Sequence, residues 1–197
     1  MLVDHMIALA AFAFVTSITP GPNNLMLMAS GANFGFHRTI PHMLGVGLGF
    51  VLMVVLVGLG IIQMFEAYPR GYMLLKILSL AYMLYLAWKI ATSSPPSKAG
   101  ETGIPITFLQ AALFQWVNPK AWAMALTAIG AYAPSHTLGS IITVAIIFGI
   151  INLPAVSSWT FLGLQMQRLL TNPIRLRNFN IAMALLLLLS AYPVIFS

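Results

Sequence analysis

Six apolar stretches, at approximately 6 to 30, 40 to 65, 71 to 91, 105 to 131, 138 to 163 and 179 to 196, carry very little charge and fill most of a 197-residue chain. A helix of about 20 apolar residues crosses the hydrocarbon core of a bilayer, so each stretch is long enough to span it. In hydrocarbon every backbone amide and carbonyl must find an internal partner, which leaves helices or a closed barrel. The stretches are continuously apolar and lack the strict alternation of barrel strands. The expectation is an all-α integral membrane protein with six transmembrane helices, forming a single transmembrane domain over residues 1–197.

Composition agrees with that solvent. Hydrophobic residues make up 60% of the chain and charged residues 6%, where a soluble domain carries roughly a quarter charged residues. The formal charge of +6 arises from nine Lys and Arg against three acids. Most of these cations lie between the apolar stretches, and they form no patch interleaved with aromatics, which argues against nucleic acid as a partner. The absence of cysteine rules out a disulfide framework and a thiolate metal site, and says nothing about redox compartment. Residues Met1 to His5 lack Lys and Arg, and no Ala-x-Ala-like site follows the first stretch. Residues 6 to 30 therefore read as a retained span and not as a removable signal peptide.

The connections are short and built from turn residues, as in Ala67-Tyr68-Pro69-Arg70-Gly71 and Tyr132-Ala133-Pro134-Ser135. The longest runs from Thr92 to Gly103, is rich in Pro, Ser and Gly, and has the composition of a flexible linker. It divides the chain into repeat one, about 1–91, and repeat two, about 105–197, with a linker over 92–104. Arg38, Lys89, Lys98, Arg168, Arg175 and Arg177 fall in loops one, three and five, against Arg70 and Lys76 on the other side. Cytoplasmic loops collect positive charge, so both termini are expected outside. Tyr85 and Trp88 beside Lys89, with Tyr68, Tyr72, Tyr132 and Tyr192 at the opposite ends, fit interfacial belts.

Two polar interruptions stand inside spans. In Thr19-Pro20-Gly21-Pro22-Asn23-Asn24 two prolines remove amide donors and a glycine tolerates almost any backbone geometry, so the first helix should break. In the fourth stretch Val117-Asn118-Pro119-Lys120 places another proline at mid-span with a cation beside it. Sliding the sequence by 99 residues superposes Pro20 on Pro119 and Gly31 on Gly130. Three spans per half make the second half enter from the opposite face. The pattern is two inverted three-helix repeats with helices 1 and 4 broken at mid-membrane, a pointer to a transporter binding site. Such breaks are tolerated only where they are buried in protein or line a wet cavity.

A restarting helix offers amides suited to a carboxylate, and a stopping helix offers carbonyls suited to an ammonium group. A substrate cavity is thus expected from Thr19, Pro20, Gly21, Pro22, Asn23, Asn24, Asn118, Pro119 and Lys120, with a zwitterionic amino acid as the ligand. Simple proline kinks are the plainer alternative. Lys120 could instead snorkel to an interface, although it lies about 13 residues, or roughly 20 Å, from either end of its stretch.

His37, Arg38 and His42 sit at the start of the second span. They read either as an ordinary positive-inside loop or as a gate or proton relay, with His42 and Arg38 the candidates. Gly45-Val46-Gly47-Leu48-Gly49 resembles a dinucleotide fingerprint only superficially, because no acid follows before Glu66; close helix packing through small residues is the better explanation. Twelve scattered methionines suit gap filling. Neither Asp4 nor Glu66 pairs with His at ligand spacing, so no metal, cofactor or catalytic carboxylate pair is expected.

Ser17 to Asn24, the stretch Gly31 to Arg38 with Gly45 and Gly49, and Asn118-Pro119-Lys120 together resemble the LysE/RhtB family of amino-acid exporters over nearly the whole chain. Thr19 to Asn24 taken with Tyr85 to Ser93 is similar to the branch that exports cysteine and O-acetylserine. The resemblance implies a multi-pass protein of the bacterial inner membrane with no enzymatic activity that can form a homodimer. It would expel small neutral or polar amino acids or their derivatives, cysteine/O-acetylserine-like or homoserine/threonine/leucine-like, driven by the proton gradient. The chain departs from the family at Phe36 and His37, where a richer basic cluster is usual. Competing readings are a passive channel, an exporter of another small metabolite, and a membrane-embedded enzyme, the last of which would need a polar catalytic constellation that three peripheral acids do not supply.

Overall fold

Prolines start helices in this chain more often than they stop them. The computed structural model describes residues 3–61, 69–93, 103–190 and 192. Within them lie seven α-helices: α1 (Val3–Ile18), α2 (Pro22–Gly58), α3 (Pro69–Ala91), α4 (Phe108–Phe114), α5 (Pro119–Tyr132), α6 (Leu138–Gln167) and α7 (Pro173–Leu189), with a 3-10 turn, Gln115–Val117, after α4. Proline sits in the first turn of α2, α5 and α7, where its missing amide would have no partner anyway and its fixed φ suits the helix. The residue before each proline is extended. Asn118 and Asn172 cap their helices through side-chain oxygens that accept from the amides of Lys120 and Ile174, whereas Gly21 has no side chain to cap α2. Pro41 and Pro154 lie inside α2 and α6 without ending them.

One expected boundary moves. The first two apolar stretches were expected to be separated by a connection over residues 31 to 39, yet α2 runs from Pro22 to Gly58. Only Gly35 leaves helical geometry, with φ 76° and ψ 174°. That positive φ is open to glycine and strained for other residues, so a single residue redirects the chain where a loop was anticipated. Glu66, Tyr68, Lys98, most of the 92–104 linker, the side chains of Arg70, Tyr72 and Lys76, and the end of the sixth stretch fall outside the described residues.

Helices α2 and α6 are each long and apolar enough to cross a bilayer, and Val3–Ile18, Ile77–Ala91 and Phe108–Val117 are shorter apolar helices. Ile7, Phe14, Leu48, Leu84, Ile150 and Leu185 are exposed, while Asn24, Asn33, Gln115, Asn118, Asn152 and Asn180 are buried. Apolar outside and amides inside is the arrangement lipid favours, because hydrocarbon welcomes leucine and interhelical hydrogen bonds hold the interior.

The interior holds two apolar clusters, one around Met26, Met83, Phe114 and Leu187, the other around Leu9, Phe50, Ala128 and Phe148. Helix α2 contributes to both and lies against α6. At their crossing a Cβ on Gly31 would overlap the Thr160 carbonyl oxygen, and one on Gly163 would overlap that of Met28, so the two backbones touch because neither residue has a side chain. Gly45 and Gly49 do the same against α4: added Cβ atoms would meet the Ala111 Cβ at 2.8 Å and the Ala112 Cα at 2.7 Å. Gly45 and Gly49 serve packing, as expected. Gly130, which the 99-residue shift matches to Gly31, has nothing within 4 Å of its Cβ position. That sequence correspondence therefore carries no shared contact.

Candidate functional site

Helix α1 ends at Ile18, and its last carbonyls would be orphans in an apolar surround. The chain fills them from three directions. Asn24 Nδ2 donates to the Ser17 and Thr19 carbonyls, both at 2.8 Å. Trp159 Nε1, from α6, donates to the Ile18 carbonyl at 3.0 Å. Lys120 Nζ, from α5, donates to the Thr19 carbonyl and the Thr19 hydroxyl, each at 2.8 Å, and reaches the Pro20 carbonyl at 3.4 Å. A cation on the carbonyl end of a helix also meets the negative end of its dipole.

The two proline segments are therefore in direct contact across the two halves of the chain. A second bridge lies beside the first: Asn23 Nδ2 donates to Gln115 Oε1 at 2.8 Å, and Gln115 Nε2 returns to Asn23 Oδ1 at 3.2 Å. Gln115, in the 3-10 turn before Asn118, is fully buried. A Cβ on Gly21 would lie 2.7 Å from Lys120 Cδ, so a side chain there would push the lysine aside from this docking.

Around this junction is a small cavity, open at one side. Of the expected residues, Gly21, Asn23, Asn24, Asn118 and Lys120 line it. Thr19 and Pro20 lie at its exposed edge and act through the groups that hold Lys120. Pro22 and Pro119 serve as the first residues of α2 and α5, and Asn118 Oδ1 is taken by the Lys120 amide at 3.1 Å. Thr16, Ser17, Val46, Phe50, Ala121, Met124, Asn152 and Val156 also line the cavity and were not foreseen. Asn152 comes from α6, where no break or charge marks it in the sequence. A lone asparagine in an apolar helix was the available signal.

His42 and Arg38 are not brought together with this cavity. His42 is 0% exposed, with neither ring nitrogen hydrogen-bonded. Arg38 donates from Nη2 to the Gly103 carbonyl at 3.1 Å and stacks over the Phe34 ring at 5.6 Å. Lys89 donates to the Pro105 carbonyl at 3.1 Å and to Gln110 Oε1 at 2.9 Å. Arg38 and Lys89 thus both fasten the 103–105 segment. A buried amide clasp, Asn33 Nδ2 to Asn180 Oδ1 at 2.7 Å and Asn180 Nδ2 to Asn33 Oδ1 at 2.9 Å, extends to the Ser93 carbonyl at 2.9 Å. It ties α2 to α7 and to the end of α3, and sequence reasoning missed it. Among the described residues no group of three His, Asp or Glu is placed to hold a metal ion.

Apolar helices that face outward with leucine and isoleucine while gathering amides, hydroxyls and one lysine around an internal cavity define a membrane transport protein. The sequence profile of the family described as LysE type translocator matches residues 14–196. The chain belongs to the LysE type translocator family, a family of transporters and not of enzymes. It is 32% identical over 182 residues to the cysteine/O-acetylserine efflux protein of Escherichia coli O157:H7, covering 91% of this chain and 92% of that protein. It is 31% identical, at the same coverage, to the proteins of that name from Escherichia coli K12 and Shigella flexneri. No solved structure matches.

Proposed function

We propose that this translocator exports small amino acids, cysteine/O-acetylserine-like or homoserine/threonine/leucine-like, from the bacterial cytoplasm. The substrate binds at the junction of the Thr19–Asn24 and Asn118–Lys120 segments. One observation carries the reading: Lys120 Nζ rests on the Thr19 carbonyl and hydroxyl, so a cation in a polar cavity links the two halves. A carboxylate exchanges for those neutral acceptors at Lys120, since a hydrogen bond between two charged groups is the stronger one. The uncapped start of α2 at Gly21 supplies amides and the positive end of a helix dipole for the same carboxylate.

In this reading the chain has six spans in two inverted repeats, with both termini outside. Alternating access makes and breaks the Lys120–Thr19 and Asn23–Gln115 bridges as one half moves against the other. Proton coupling belongs to the same proposal, with His42 as the carrier: a wholly buried imidazole lacking a partner has every reason to acquire one in the alternative state. Arg38, bound to the Gly103 carbonyl, holds the neighbouring segment as part of the gate.

The test is export of radiolabelled amino acids from loaded vesicles, with and without a proton gradient, at equal protein levels. Lys120→Ala is expected to lower export about tenfold or more, the loss typical of one charge-assisted hydrogen bond. Undiminished export by Lys120→Ala and Asn24→Ala would take both residues out of the site. Movement that runs only downhill and ignores an ionophore would indicate a channel instead.

A further inference from the structure

The cavity has a third polar arm that neither the proline segments nor the family membership points to. Asn152, from α6, is 5% exposed, lines the cavity, and donates through Nδ2 to Ser17 Oγ of α1 at 3.1 Å. Its Oδ1 has no hydrogen-bond partner. A buried acceptor left without a donor carries a penalty of tenfold or more in equilibrium terms, so such an atom in a ligand cavity marks the place of a missing donor.

We infer that Asn152 Oδ1 is the acceptor for the substrate's α-ammonium group, opposite Lys120, which takes its carboxylate. The inference rests on the amino-acid-exporter reading above. The end of α1 was the expected ammonium site, and the structure removes it. The Ser17 carbonyl is occupied by Asn24, the Ile18 carbonyl by Trp159, and the Thr19 carbonyl by Asn24 and Lys120. Two other cavity amides are matched, Asn23 Oδ1 by Gln115 and Asn118 Oδ1 by the Lys120 amide. Among the described residues Asn152 Oδ1 is the buried side-chain oxygen that has no donor. A neutral amide oxygen is a sound partner for a cation that must leave again, since it accepts a charge-assisted bond without fixing a permanent counter-ion in the membrane. Val46, Phe50, Met124 and Val156, which also line the cavity, give the side chain an apolar wall. The class of ligand is a small free α-amino acid with both termini charged.

The test measures binding to the purified full-length protein in nanodiscs by calorimetry. L-cysteine, O-acetyl-L-serine and L-threonine are the probes, beside N-acetyl-L-cysteine, which lacks the ammonium, and L-cysteine methyl ester, which lacks the carboxylate. Asn152→Leu is expected to weaken L-cysteine and its methyl ester about 10- to 100-fold and to leave N-acetyl-L-cysteine unchanged. Lys120→Met is expected to weaken L-cysteine and N-acetyl-L-cysteine and to leave the methyl ester unchanged. Asn152→Asp keeps the acceptor, with the Ser17 hydroxyl turning to donate, and should bind L-cysteine at least as tightly as the parent. Thermal unfolding midpoints separate lost binding from lost fold. If Asn152→Leu and Asn152→Asp both bind L-cysteine as the parent does, Asn152 has no part in recognition. If Asn152→Asp folds but binds nothing, the amide presents its N–H₂ to the ligand and the assignment is overturned. A parent protein that binds none of the three amino acids removes the exporter reading itself, and this inference with it.

Discussion

Replacing Gly163 with alanine tests whether the contact between α2 and α6 is as close as the structure places it. The added Cβ would overlap the Met28 carbonyl oxygen and lie 2.9 Å from the Met28 carbonyl carbon and 3.0 Å from the Ala32 amide nitrogen. Ordinary non-bonded contacts between carbons fall at about 3.5–4.0 Å, so the two backbones must part by roughly 1 Å, a gap that forfeits a quarter to a half of each dispersion contact it opens. Inserting one methyl group into packed surroundings costs about 1–3 kcal/mol. Backbone atoms, unlike a flexible side chain, cannot swing aside, so the upper end applies: about 3 kcal/mol. Gly130→Ala is the matched control, because nothing lies within 4 Å of its Cβ position and alanine is favoured over glycine in a helix by about 1 kcal/mol. The two substitutions, chemically identical, are expected to move stability in opposite directions. Reversible unfolding in mixed micelles, followed by far-UV circular dichroism, reads both. A Gly163→Ala protein within about 0.5 kcal/mol of the parent, below the range for overpacking, would refute the reasoning. Combining Gly31→Ala with Gly163→Ala should cost less than the sum of the two, because both enter one gap and the second finds it already opened.

Gly35→Ala is expected to destabilise by about 1–3 kcal/mol through its positive φ alone, since no neighbour stands within 4 Å of the new Cβ; the same unfolding assay checks it, and an unchanged stability would mean that the chain does not turn at that residue. Asn33→Ala or Asn180→Ala leaves the opposing buried amide without its partner and should cost about 1–3 kcal/mol each, with the double variant losing clearly less than the sum; strict additivity in that cycle would dissolve the clasp. His42→Phe removes a buried polar ring with no hydrogen bond, so unfolding stability should hold or rise while the proton-coupled export proposed above falls. A variant that exports normally from about pH 5 to 8, a window bracketing the imidazole range, would take His42 out of the coupling mechanism.

Asn118 and Pro119 show how far a local reading reaches. A proline favours an extended residue before it and its fixed φ suits a first helical turn, so the break and the restart are written in two adjacent side chains, and Gly21-Pro22 repeats the device. Pro41 and Pro154 mark the limit of that reading. They follow Ile40 and Leu153, which offer no cap, and their helices continue, so a proline alone would have misplaced two boundaries. Gly35 escaped notice because a single residue with positive φ has no periodicity to disturb.

The sequence by itself determined the solvent, the all-helical class and the two polar interruptions, because apolarity, proline geometry and helix capping act over a few residues. Tertiary structure decided who meets whom at the interruptions. That Lys120 reaches Thr19, that Gln115 answers Asn23, and that Asn152 stands unpartnered beside Ser17 depends on the crossing of α1, α2, α5 and α6. That crossing is set by where glycines let backbones touch. Whether one asparagine in an apolar helix faces lipid, a neighbour or a cavity follows from the helix's rotation in the bundle, and no stretch of local sequence encodes that rotation.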